Sequence, residues 1–149
     1  MMISDVPLPE FPYLEGEPLL GKVAIVTGAG RMRSIGRATA ILLARLGANV
    51  VVTGTGRSPD RYPDEEKAAG WRDIESIADE IRGIGRRSMP AVLDVTDGDA
   101  VDAFFARVID EMGRADILIN NAAAPMGADR VPMTDVDRGV FRWVVEVKV

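Results

Sequence analysis

The stretch Val23-Ala24-Ile25-Val26-Thr27-Gly28-Ala29-Gly30-Arg31-Met32-Arg33-Ser34-Ile35-Gly36 runs directly into Arg37-Ala-Thr-Ala-Ile-Leu-Leu-Ala-Arg-Leu46. Four apolar residues read as a buried strand, a glycine-bearing turn follows, and an apolar helix starts at once. A dinucleotide phosphate site requires this order. Glycines remove Cβ atoms at the turn, so a pyrophosphate can reach free N–H groups at the helix start, where the helix dipole also favours an anion. Any tight strand-to-helix turn favours glycine, so further signals are needed.

Composition narrows the alternatives. The 149 residues are 47% hydrophobic, enough to bury one core, and carry a net charge of −5. An acidic balance argues against nonspecific nucleic-acid binding, which needs a basic surface. No run has the length of a membrane-spanning helix, and no basic-then-apolar leader opens the chain. A cytoplasmic location is the default expectation. With no cysteine and no histidine, disulfides, Cys/His metal sites, cysteine nucleophiles and histidine bases are excluded for these residues, and no metal site is expected.

Residues 1–20 hold four prolines, Pro7, Pro9, Pro12 and Pro18, and read as an extended arm or a disordered segment. From residue 21 to 149 strands and helices alternate. Strands are expected over Lys22–Val26, Asn49–Thr53, Met89–Leu93 and Asp116–Ile119. Helices are expected after Gly36, ending near Leu46 with Gly47 as cap, and over Glu65–Ile84, with Trp71, Ile74, Ala78 and Ile81 on one face. A third helix follows a capping box at Thr96-Asp-Gly-Asp99 and buries Val101, Phe104, Phe105, Val108, Ile109 and Met112; a last one spans Asp135–Val149. The alternation predicts an α/β domain, a parallel sheet with helices on both faces. A doubly wound nucleotide fold of the Rossmann type would give that sheet the order 3-2-1-4, with the ligand at the carboxyl edge where the order reverses.

Asp94-Val95 closes the third strand and Asn120-Asn121-Ala122-Ala123 the fourth. With the Thr27-Gly28 turn, the chain resembles the short-chain dehydrogenase/reductase family over roughly residues 21–149. The resemblance implies that Gly28, Ser34, Ile35 and Gly36 surround the pyrophosphate. It also implies that Asp94 and Val95 meet the adenine edge, that Asn120, Ala122 and Ala123 line the nicotinamide ribose, and that Asn121 braces the sheet. Some features depart from the family pattern. The glycine turn is two residues longer, Ser34 replaces a glycine, Ala123 replaces the last glycine of Asn-Asn-Ala-Gly, and Lys148 stands where the family has a proton-relay asparagine.

An acid just after strand two would select NAD. Here Thr53-Gly54-Thr55-Gly56-Arg57-Ser58 carries none before Asp60. Arg57 and Ser58, joined by Arg31 and Arg33 from the turn, could pair with a 2′-phosphate, which favours NADP over NAD. Exposed loops also carry such arginines for solvation alone.

By resemblance the reaction is hydride transfer between nicotinamide and a carbonyl or alcohol substrate, with homo-oligomerisation to a dimer or tetramer through later chain. The family's tyrosine-plus-lysine pair, four residues apart, has no counterpart. Tyr13 is followed at that spacing by Glu17 and Tyr62 by Glu66, so no catalytic residue is assigned here. The chain stops in what reads as mid-helix, before a fifth strand, and is expected to be the cofactor-binding half of an oxidoreductase. A non-catalytic dinucleotide-binding module and an assembly surface are the alternatives. The unprotected run Ile117-Leu118-Ile119 disfavours a free-standing module.

Overall fold

The computed structural model describes residues 16–124, 127 and 129–148. The first fifteen residues of the expected arm lie outside the described residues, as do Met126 of the loop after the fourth strand and Val149 at the end of the last helix. Gly16–Leu20 is not a free arm, since the Leu19 amide donates to the Leu46 carbonyl and Leu19 packs on the core.

Four parallel strands, β1 (Val23–Val26), β2 (Asn49–Gly54), β3 (Ser88–Val92) and β4 (Ile117–Ile119), form one sheet of order β3-β2-β1-β4. Val26 is in register with Val52 on one side and Ile119 on the other, and Gly54 with Val92. These pairings bring the ends of all four strands to one carboxyl edge, and the order reverses between β1 and β4, the switch point at which open α/β sheets bind ligands.

Strand periodicity divides the core in two. On one face Ala24, Val26, Val50 and Val52 meet Ala40 and Ala44 of α1 (Ile35–Arg45) and Ile77, Ala78 and Ile81 of α3 (Ile74–Gly83). On the other, Val23, Ile25 and Val51 meet Phe104, Val108 and Met112 of α4 (Gly98–Met112). The small alanines of α1 let that helix lie close to the sheet. The face of α4 is narrower than its periodicity predicts, because Ile109 remains exposed.

Three expectations need correction. The helix over Glu65–Ile84 is two helices, α2 (Asp64–Ala68) and α3, separated where Gly70 and Asp73 adopt positive φ of 63° and 54°. Trp71 lies in that link and is buried there. The cap of α4 is Asp97, whose carboxylate accepts from the Ala100 amide, while Thr96 bonds to Asp94. The last helix, α5, begins only at Arg138, after a single 3-10 turn, and runs to Lys148. No helix among the described residues is long and apolar enough to cross a membrane.

Candidate dinucleotide site

The turn after β1 is held from two sides. On the β4 side, the Thr27 hydroxyl donates to the Ile119 carbonyl at 3.3 Å and accepts from the amides of Asn121 (3.1 Å) and Ala122 (3.0 Å). The Asn121 side-chain amide donates to the carbonyls of Thr27 and Gly28, at 2.8 and 3.1 Å. Asn121 thus braces the ends of β1 and β4. Close approach explains the glycines: a Cβ on Gly28, whose φ is 65°, would sit 2.6 Å from the Ala122 Cα, and one on Gly36 would sit 2.6 Å from Asn121 Nδ2. Thr27 is a site-building residue that the motif reading passed over. Its signal was the hydroxyl next to the strand's last apolar residue.

Ser34 caps α1. Its hydroxyl accepts from the Arg37 amide at 3.1 Å and donates to the Arg31 carbonyl at 2.9 Å. That hydrogen is therefore already engaged within the turn, so the residue shapes the turn. The amides of Ile35 and Gly36 have no acceptor among the described residues, and no acid occupies the first turn of α1. Ile35 stands at the rim, 80% exposed. A free helix N-terminus without a competing carboxylate suits an anion.

On the β2 side the brace is ionic. Arg57 donates from Nε to Asp73 Oδ2 (3.0 Å), from Nη1 to Glu66 Oε2 (3.2 Å) and from Nη2 to the Gly30 carbonyl (3.3 Å), with its guanidinium 4.9 Å from the Tyr62 ring. Glu66 Oε1 accepts from the Met32 amide at 3.0 Å, and the Trp71 indole donates to the Gly30 carbonyl at 2.8 Å. Arg37 pairs through two nitrogens with Glu80, donates to the Met32 carbonyl and lies 5.0 Å over the Trp71 ring. The longer turn is thus clamped by the segment between β2 and α3, and Arg57, Glu66, Asp73, Trp71 and Arg37 all act on it. The sequence offered Arg57 as a phosphate partner and Trp71 as part of a helix face, and it left these contacts unread because the partners are far along the chain.

These contacts change the position of the arginines proposed for a 2′-phosphate. Arg57 is largely buried and its charge is met by two carboxylates, so it does not extend into solvent as the loop reading assumed. Arg33 pairs with Glu65, and Arg31 is exposed with no ion pair among the described residues. Ser58 is exposed at the start of a 3-10 turn.

At the other strand ends, Asp94 is exposed and accepts from the amide (3.0 Å) and hydroxyl (2.7 Å) of Thr96, which hold its carboxyl below the usual range. Val95, Asn120 and Ala122 line a cavity of about 210 Å³ between the carboxyl edge, Phe104 and Phe105 of α4, and α5. That cavity lies toward the α4 face, beside the glycine turn and not over it. Asn120 and Ala123 are exposed. Tyr62 is buried, and desolvation, then the negative charge of Asp73, push its phenol above the ordinary value. A proton-transferring tyrosine needs the opposite shift. Tyr13 lies outside the described residues. No cluster of three metal-ligating side chains occurs among those described.

The comparisons with known proteins agree with this geometry. The short chain dehydrogenase family model matches residues 22–149. A cyclohexanol dehydrogenase of a Rhodococcus species is 40% identical over 111 residues, which cover 74% of this chain and 40% of that protein. A 12alpha-hydroxysteroid dehydrogenase of a Clostridium species is 37% identical over 118 residues, 76% of this chain and 40% of the relative. Among solved structures, carveol dehydrogenase from Mycobacterium avium in complex with NAD superposes with a TM-score of 0.70 at 25% identity, covering 89% of this chain and 46% of that one. A metagenomic short-chain oxidoreductase in complex with NADP gives 0.65 at 32% identity, over 87% and 51%. The chain thus spans about two fifths of the length of the curated relatives it matches. Its sheet order, its glycine turn and the matched span of the family model make it a member of the short-chain dehydrogenase family.

Proposed function

We propose that this chain forms the cofactor-holding part of an oxidoreductase that transfers hydride between a nicotinamide dinucleotide and a carbonyl or alcohol carbon. The observation that carries the reading is the pair of glycines, Gly28 and Gly36, backed by Asn121 and Ala122 at the start of α1. A side chain at either glycine would collide with Ala122 or Asn121 and push the turn off the end of β4, displacing the backbone amides that a pyrophosphate needs. The Ile35 and Gly36 amides would hold the phosphates, and Asn120, Ala122 and Ala123 would line the nicotinamide ribose. Asp94 and Val95 would bound the adenine. When bound, the nicotinamide supplies or accepts the hydride; positioning it is the protein's share.

Proton transfer falls to groups outside these residues. No Tyr-x-x-x-Lys pair occurs in the 149, and Tyr62 is occupied beneath Arg57. Of the features that favour NADP, Arg31 is the one without an ion pair among the described residues. The substrates of the named relatives, cyclohexanol and hydroxysteroids, suggest an alicyclic alcohol or ketone.

The test is a fluorescence titration of the natural protein with NADH and NADPH, beside its intact mass. Binding by a protein well above the mass of these residues supports a complete reductase. Binding at that mass supports a nucleotide module without turnover. A folded protein that binds neither nucleotide overturns the cofactor reading.

A further inference from the structure

Where a dinucleotide site takes NAD, an acid at the end of the second strand accepts the adenosine 2′-hydroxyl and repels a 2′-phosphate. In this chain the end of β2 is Gly54, which has no side chain. The space beside it is nevertheless occupied by a carboxylate. A Cβ on Gly54 would lie 3.2 Å from Asp73 Oδ1, and a Cβ on Gly30 would lie 1.5 Å from the same atom. Asp73 therefore fills the crevice between the glycine turn and the strand end, reaching it from the link before α3.

Two further observations point to a role for this oxygen. Asp73 is 6% exposed, and its Oδ1 is buried with no hydrogen-bond partner, whereas Oδ2 is taken by Arg57. Buried carboxylate oxygens are normally satisfied, so one left unpaired between the glycine turn and the end of β2 needs a reason. Asp73 also has a φ of 54°, a conformation disfavoured for a non-glycine residue and retained where the fold demands it. The charges do not cancel. One guanidinium, Arg57, lies between two carboxylates, Glu66 and Asp73, which leaves one negative charge in excess in a weakly screened place. Only glycine backbone separates it from the turn.

We propose that Asp73, delivered by the α2–α3 link in place of an acid on β2, sets the adenosine specificity of this site, so that it accepts an unphosphorylated ribose and rejects a 2′-phosphate. The proposal rests on the dinucleotide reading and reverses the NADP preference that the loop arginines suggested. Arg57 anchors the carboxylate instead of a phosphate.

Calorimetric binding of ADP-ribose and its 2′-phosphate to the natural protein tests this without turnover, since neither ligand carries nicotinamide. The wild type is expected to bind ADP-ribose at least about tenfold more tightly. Asp73→Asn removes the charge at constant shape and should bring the two affinities together. If Asp73→Asn does not fold, Asp73→Ser replaces it. Selectivity unchanged in a folded variant, or a wild type that prefers the 2′-phosphate, overturns the role of Asp73 while leaving the dinucleotide reading intact. Failure of both ligands to bind folded wild type overturns both.

Discussion

One glycine turn is gripped from two sides by different physics. Toward β4 the grip is neutral: Thr27 and Asn121 tie the ends of β1 and β4 through backbone amides and carbonyls. Toward β2 it is ionic and aromatic, with Arg57, Glu66, Asp73, Arg37 and Trp71 holding the carbonyls of Gly30 and Met32 and the Met32 amide. The neutral side uses residues adjacent to strand ends, so it needs only the sheet to form. The ionic side depends on a link that must itself fold over the turn. That difference separates a grip local to the strand ends from one that rests on long-range ion pairs, and it predicts unequal sensitivity to mutation.

The largest effect should come from Arg57→Met. It strips the cation from two buried carboxylates and should cost about 3–5 kcal/mol in urea unfolding. Recovery of part of that loss by Arg57→Met combined with Glu66→Gln would confirm that the stranded charge is the cause. An unchanged midpoint for the single variant would mean the ionic grip contributes nothing. On the neutral side, Thr27→Val leaves the Asn121 and Ala122 amides without their acceptor, and a loss of about 1–3 kcal/mol is expected. The double variant sharpens the contrast: losses that add to within about 0.5 kcal/mol show two independent grips, and a larger coupling shows one unit.

A smaller loss, about 1 kcal/mol, should follow Ser34→Ala, which removes the cap of α1. Thermal unfolding that ignores this change would count against the capping role. The mildest effect concerns pH. Asp116 pairs with Arg114 and accepts from the Val23 amide at 2.8 Å, and these contacts, the Arg114 pair foremost, lower its carboxyl to about 2. A folded value below the unfolded one stabilises the protein above the ordinary carboxylate range, and the contribution is lost as pH falls through about 2. Stability measured from pH 4 down to 2 should therefore decline, and Asp116→Asn should flatten part of that slope.

Local pattern was enough to read β1, the glycine turn and α1, because each depends on residues within one or two helical turns. Sheet order followed from the alternation only once the glycine turn had suggested a doubly wound nucleotide fold. The bracing role of Asn121 was legible by resemblance, and the contact with Thr27 supplies its reason. The region between β2 and β3 was not legible in the same way. Apolar spacing from Trp71 to Ile81 suggested one helix, yet positive φ at Gly70 and Asp73 breaks it. Trp71 lies in the link instead and donates to the Gly30 carbonyl. Arg57 showed the same limit. Its neighbours in sequence suggested an exposed loop cation, and its neighbours in space are two acids and a tyrosine ring.

Sequence by itself determined the fold class, the strand order and the turn at which a dinucleotide would sit. The class and the turn follow from hydrophobic periodicity and from where glycine removes a side chain, and the strand order from the nucleotide-binding fold these suggest. Tertiary structure alone decided which charges surround that turn and which are already spent on one another. Ion pairing depends on distances across the fold, and residues 57, 66 and 73 meet only after the link between β2 and α3 has folded back onto the turn.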